Sequence, residues 1–233
     1  CFRNYTDTQG RIQISDTADE CDVYIEAPQN YSLSLYYADV TFAEYECTKE
    51  YIEVFNANTN SSLQKICSYT GNDKALFSSE NKLRLHVKMS GYYTKFDITY
   101  LASLDGPGCG GNLYNNRGTI VNPFYPNNVR NNSNCLWNIR VPSNLHVLLH
   151  FEVFDLGTKN TCHSDYLEII ESNDEGPDRV VRRFCGEDNP KMYKSERSSL
   201  SIRFHKTLNY DGTGWVINFQ GVYSNYKIPE FLQ

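Results

Sequence analysis

The sequence predicts an all-β fold, arranged as two β-sandwiches in tandem. Three observations carry this reading. From Leu145 to Val153 the residues alternate: Leu145, Val147, Leu149, Phe151 and Val153 form an apolar set, while His146, His150 and Glu152 fall on the other face. That is the period of two of a half-buried strand. Aromatic residues make up 14% of the chain, with 18 tyrosines against 2 methionines, and no long run shows helical spacing, a composition that favours strands. The third observation is a repeat. Cys47-Thr-Lys-Glu-Tyr-Ile-Glu-Val matches Cys162-His-Ser-Asp-Tyr-Leu-Glu-Ile, and each stretch begins at the third cysteine of a series of four. A chain of 233 residues has room for two such domains of about 110 residues each.

Taken in order, the first copy reads as strands near 10–15, 21–27, 31–38, 50–56, 62–67, 82–88 and 95–101. Leu104-Asp-Gly-Pro-Gly108 is the natural joint, because glycine and proline punctuate chains. The second copy reads as strands near 118–121, 135–141, 145–154, 165–171, 179–185, 198–205 and 213–223. Asn122-Pro-Phe-Tyr-Pro-Asn-Asn128 reads as an ordered loop, since its prolines cannot serve a central strand. The domains are therefore expected at 1–103 and 109–223, joined by a linker at 104–108, with 224–233 as a tail or the start of a linker.

The cysteines stand at 1, 21, 47, 67, 109, 135, 162 and 185, and none forms a Cys-x-x-Cys pair. Zinc modules use such close pairs, so an even set without them points to disulfides and an oxidising compartment. Spacing leaves the connectivity open; a repeated four-cysteine unit favours pairing in sequence, each loop contributing roughly 3 kcal/mol in the chain-entropy account. The sequons at Asn4, Asn30, Asn60 and Asn131 agree with a secreted glycoprotein carrying N-glycans. The chain has no apolar run of membrane-spanning length and no leader, and reads as a mature fragment. Its formal charge of −6 gives no broad reason to bind nucleic acid or anionic lipid.

The second copy resembles a CUB domain. The matching residues are Cys109-Gly-Gly, Gly118-Thr-Ile, Asn122-Pro-x-Tyr125-Pro126, Cys135-x-Trp137-x-Ile139, Phe151-x-x-Phe154-Asp155, Cys162-x-x-Asp165-Tyr166, Phe184-Cys185-Gly186, Leu200-x-Ile-x-Phe204 and Gly214-Trp215. The first copy looks like a shortened, divergent member: it lacks the Pro-x-Tyr-Pro segment, and Val23 stands where the tryptophan is expected. The resemblance implies two jelly-roll-like sandwiches in tandem. It also implies an extracellular, non-catalytic binding module, a segment of a receptor, co-receptor or channel auxiliary protein, with an extracellular protein ligand or co-receptor as partner. The alternative it implies is the accessory region of a secreted protease, where such domains dimerise or position substrate.

Many CUB domains hold calcium with a glutamate about eight residues before the Asp-Tyr pair, that aspartate, and a second aspartate in a late loop. Here Asp165 is kept, but Gly157 and Thr207 stand at the other two positions. In the first copy Glu50 replaces the aspartate, and Phe42 and Ser90 replace the rest. Calcium needs several oxygen ligands, chiefly carboxylates, so no calcium or other cofactor is expected; Asp155 and Asp211 are the nearest further carboxylates. No catalytic motif of the Gly-x-Ser-x-Gly or His-Glu-x-x-His kind is present, and no enzyme is expected. His146 and His150, four strand residues and so about 13 Å apart, cannot share a metal. For binding, Tyr92, Tyr93, Tyr210 and Asp211 lie in Gly- and Asn-rich loops suited to protein contact, though tyrosines also simply cover sandwich ends. Glu44, Glu46, Glu50 and Glu53 could present an acidic patch to a basic partner, with a solvated edge the preferred reading. Arg179, Arg182, Arg183, Lys191, Lys194 and Arg197 give a weak basic bias toward an acidic partner or sulfated glycan.

Overall fold

The computed structural model describes residues 1–15, 19–43, 47–67, 75–90, 94–125, 133–157, 162–172, 176–207 and 212–232. Contacts divide the chain into two units, Cys1–Pro107 and Gly108–Gln233. The first holds β1 (Phe2–Tyr5), β2 (Gln9–Ser15), β3 (Glu20–Glu26), β4 (Ser32–Thr41), β5 (Tyr51–Asn56), β6 (Ser62–Ile66), β7 (Ala75–Phe77), β8 (Lys82–Lys88) and β9 (Lys95–Ser103). The second holds β10 (Gly111–Leu113), β11 (Arg117–Val121), β12 (Ser133–Arg140), β13 (His146–Asp155), β14 (Tyr166–Glu171), β15 (Arg179–Phe184), β16 (Met192–Lys194), β17 (Ser199–Lys206) and β18 (Gly214–Val222).

Each unit pairs a five-stranded with a four-stranded sheet. The orders are β1-β3-β8-β5-β6 and β2-β9-β4-β7 in the first, β10-β12-β17-β14-β15 and β11-β18-β13-β16 in the second. Adding nine to every label of the first unit gives the second, so the two sandwiches share one topology. All pairings are antiparallel except β1 with β3 and β10 with β12. Disulfides join Cys1–Cys21, Cys47–Cys67, Cys109–Cys135 and Cys162–Cys185.

Alternation decides which side chains fill each core. On β3, Cys21, Val23 and Ile25 point inward between more exposed neighbours; on β8, Leu83, Leu85 and Val87 do the same. In the second unit Trp137 and Trp215 are fully buried and meet edge to face, with ring centroids 5.1 Å apart. The first unit reaches a filled core without tryptophan: Val23 takes the register position of Trp137, and Phe42 packs on Phe96 at 5.4 Å. The Gly214-Trp215 and Asn122-Pro motifs belong together. The buried Asn122 accepts the Trp215 backbone N–H through Oδ1 at 2.6 Å, and a Cβ on Gly214, whose φ is +94°, would stand 2.1 Å from that oxygen. Glycine is therefore required there. Tyr125 donates its N–H to the Asn122 carbonyl at 3.1 Å, turning the start of the expected loop; residues 126–128 lie outside the described residues.

Three expectations need correction. The alternation of 145–153 breaks at a β-bulge between Phe151 and Val153 in the pairing with β18, so Phe154, not Val153, turns into the core, and Leu145 stays half-buried. An extra residue in one strand does this by re-aiming all that follow. Short β1, β7, β10 and β16 were not anticipated: three- and four-residue strands carry too little periodicity to be seen. Finally, residues 224–232 are no free tail. Lys194 Nζ donates to the carbonyls of Ser224 and Tyr226, each at 2.8 Å, and Lys191 Nζ to that of Phe231 at 3.0 Å. The Phe231 carbonyl belongs to a 3-10 turn, Glu230–Leu232.

Candidate functional site

The residues that the resemblance marks as calcium ligands converge at one end of each sandwich, where the chain enters β5 or β14 and leaves β8 or β17. In the second unit Asp165, 1% exposed, immediately precedes β14. Its Oδ1 accepts the backbone N–H of Thr207 at 2.7 Å. Its Oδ2 lies 3.8 Å from Nζ of Lys206, whose side chain is 5% exposed. The sequence places that lysine there by parity: Leu200, Ile202, Phe204 and Lys206 are the inward set of β17. A buried ammonium beside a buried carboxylate compensates its charge where water cannot.

The first unit solves the same position differently. Glu50 is fully buried, and its Oε1 accepts from the Ser90 N–H at 3.1 Å, the Ser90 hydroxyl at 2.7 Å and the Thr94 hydroxyl. By register, Met89 occupies the place of Lys206. One copy thus holds its carboxylate with a cation and an amide, the other with an amide and two hydroxyls. Glu50 is therefore interior and no part of a surface acidic patch. Of the other members, Glu53 pairs with Lys65 at 3.6 Å and accepts from Ser62, and Glu44 and Glu46 lie outside the described residues.

The donor set does not fit calcium. Gly157 offers no side chain, Thr207 no carboxylate, and Phe42 is buried in the core. Among the described residues, no cluster of three or more His, Cys, Asp or Glu could hold a metal. Asp155, the nearest further carboxylate, is engaged: Oδ1 accepts from Gly157 N at 2.9 Å, Oδ2 from Thr213 N at 2.8 Å and Thr213 Oγ1 at 3.1 Å. Burial pushes this carboxyl up, but the two backbone N–H groups and the hydroxyl outweigh it and hold the pKa below its ordinary value. A depressed carboxyl pKa gives stability that is present above the unfolded pKa of about 4 and is lost as pH falls through the folded one. Asp155→Asn should therefore lower the thermal midpoint at pH 7, and the gap to wild type should close as pH falls below about 4. A gap independent of pH would show that charge plays no part.

Other sequence candidates scatter. Tyr92, Tyr93, Tyr210, Asp211 and the sequon Asn131 lie outside the described residues; Asn4, Asn30 and Asn60 are exposed. His146 bonds the Ser195 carbonyl at 3.0 Å and His150 is exposed. The basic bias is partly spent internally, on the tail by Lys191 and Lys194, and on the buried Glu168 by Arg183. Sequence reasoning missed what Glu168 organises. Arg183 bonds it at 2.9 Å and covers the Tyr166 ring at 4.3 Å, while Arg203 approaches at 3.3 Å and His205 meets Tyr166 at 5.2 Å. The first unit has a related cluster of Glu53, Lys65 and Tyr51, with His86, which meets Tyr51 at 5.8 Å, at the register position of Arg203. The signal was the repeated Tyr-x-Glu, read only as a strand.

Residues 109–219 match the CUB domain family. Over 232 residues, 99% of this chain, it is 57% identical to "Cubilin homolog" of Drosophila melanogaster, and over 218 residues, 88% of the chain, 28% identical to "Cubilin" of Rattus norvegicus. It is 33% identical to "Tolloid-like protein 2" of Mus musculus over 111 residues, 48% of the chain and 11% of that protein. The chain spans only 6% of the length of either cubilin relative. Among the described residues no helix is long and apolar enough to cross a membrane. From its motifs, its two-sheet fold and this match, residues 109–219 of the chain are a CUB domain.

Proposed function

We propose that this chain is a non-catalytic, extracellular protein-binding segment of a receptor-type protein, with a divergent CUB domain in residues 1–107, and that it binds its partner without calcium. The observation that carries this reading is the likeness to the Drosophila cubilin homolog through both units, where the likeness to the tolloid-like protein covers one. The shared topology of the two units supports a second CUB domain. Lys206 beside Asp165 supports calcium independence, because an ammonium already supplies the positive charge the carboxylate needs. The four disulfides and the exposed sequons Asn4, Asn30 and Asn60 support an extracellular setting.

The test uses the glycosylated chain as bait against a library of extracellular proteins, in calcium and in EDTA. A specific partner retained in EDTA, and an unchanged melting curve of the chain itself, are expected. Loss of binding in EDTA with a partner that is itself calcium-independent would overturn the metal-free reading. No partner at all would leave a structural spacer as the function. Serine substitutions at Tyr92, Tyr93 and Tyr210 then test whether the loops that the sequence marks form the contact.

A further inference from the structure

Among the described residues of the first unit, the most exposed aromatic side chain, Phe2, lies beside one of that unit's own sequons. On β1, alternation puts Phe2 and Asn4 on one face and Arg3 and Tyr5 on the other. Phe2 is 71% exposed, yet its ring lies 5.3 Å from that of Tyr24, on the neighbouring strand. Asn4 is the register partner of Tyr24. Phe2, Asn4 and Tyr24, with Ile25, Ala57 and Leu83, line an open cleft of about 220 Å³. The ion pair Lys82–Glu26, 2.6 Å, forms its polar rim. Asn4 opens the sequon Asn4-Tyr-Thr6, so a glycan joined to its amide starts inside this cleft.

We propose that the first N-acetylglucosamine carried by Asn4 packs the C–H face of its ring on the Phe2–Tyr24 ledge, with its hydroxyls toward Lys82 and Glu26. The chemistry fits on both sides. The electron-rich face of an aromatic ring attracts polarised C–H groups, and an open apolar ledge gains by losing water. The covalent link makes the contact intramolecular, so a weak interaction suffices. The second unit supplies an internal control. At the equivalent places it has Gly110 for Phe2, Asn112 for Asn4 and Asn138 for Tyr24, and the amides of Asn112 and Asn138 bond each other at 2.9 Å. Asn112 opens no sequon. Ledge and sequon are present together in one copy and absent together from the other. Asn60 differs again, its amide oxygen being held by Arg84 at 2.9 Å.

The experiment takes the full chain secreted from cells that keep glycans high-mannose, trimmed enzymatically to one N-acetylglucosamine per site. Peptide mass spectrometry should find Asn4 occupied. Thr6→Ala, which removes the sequon and keeps Asn4, should lower the first unit's melting midpoint by roughly 4 °C. Phe2→Ala should lower it comparably in the glycosylated protein and by much less in the Thr6→Ala background. The acetyl and ring protons of that sugar should resonate upfield through the aromatic ring current, and lose that shift in Phe2→Ala. Since Phe2 is exposed, its truncation leaves the core intact. An unoccupied Asn4, additive effects of the two substitutions, or sugar resonances at their free positions would each overturn the proposal.

Discussion

Lys206→Met should cost the second unit roughly 3 kcal/mol, the low end of what removing one partner from a buried ion pair costs. The melting midpoint of that unit would fall by roughly 10 °C. The cause is electrostatic, not steric: methionine matches the lysine stem in volume but leaves the Asp165 carboxylate, 1% exposed, without the ammonium 3.8 Å away. Adding Asp165→Asn to the first change removes the stranded charge and should restore most of the loss, since Thr207 N still has an oxygen to bond. Differential scanning calorimetry of the whole chain, with one transition per unit, reads both. A single substitution that melts like wild type would mean the pair contributes nothing. The first unit shows that methionine is acceptable at this place, provided the carboxylate is held otherwise: Met89 stands there, 6% exposed.

Glu50→Ala should cost the first unit roughly 4 kcal/mol, because hydrogen bonds to a charged acceptor are worth about 1.5–3 kcal/mol each and their sum is less than additive. Three donors, the Ser90 N–H and hydroxyl and the buried Thr94 hydroxyl, lose one common acceptor, although Ser90 itself is exposed. Glu50→Gln keeps an oxygen in place and should cost about half as much. Urea unfolding separates the two, with the midpoint of the first transition moving and that of the second fixed. Equal losses for both substitutions would show that Glu50 acts by filling space, and the hydrogen-bond account would fail.

These two sites also show what sequence can and cannot carry. The strands of both units were legible wherever apolar residues alternate over five or more positions, as in β3, β8, β12 and β17. So was the repeat, since the segments entering β5 and β14 share the pattern Cys-x-x-acid-Tyr-apolar-Glu-apolar. The departure from the calcium pattern was legible as two missing carboxylates in each copy, at Gly157 and Thr207 and at Phe42 and Ser90. Their replacement was not, although Lys206 sits on the inward parity of β17 and a lysine at an inward position must find an anion. That inference needs the strand to run on past Phe204, and element ends are the least visible feature of a sequence. Glu50 was misread because proximity in sequence to Glu44, Glu46 and Glu53 suggested a patch; a strand sends alternate neighbours to opposite faces. The bulge was invisible for a related reason, since a period of two is a local rule with no memory of an inserted residue.

That inserted residue sets a reading frame. Both β4 and β13 shift register in their pairing with the second strand of the sheet order, β9 or β18, between Tyr37 and Asp39 in one unit and between Phe151 and Val153 in the other. Everything downstream to the end of the strand, including the Asp155 carboxylate that ties the loop at Thr213, keeps its phase by that one supernumerary position. An in-frame loss of the single codon for Glu152 would leave composition, disulfides and topology nominally intact. It would also keep Phe154 opposite Trp215 and facing the core, whereas drawing Glu152 into a regular ladder without the bulge would turn Phe154 to solvent and Asp155 toward the core, as a one-residue slip must. In a gene built from repeated modules, phase rather than identity is then what two copies must share, and they can differ at the tryptophan, at the metal position and at the loops while still folding alike.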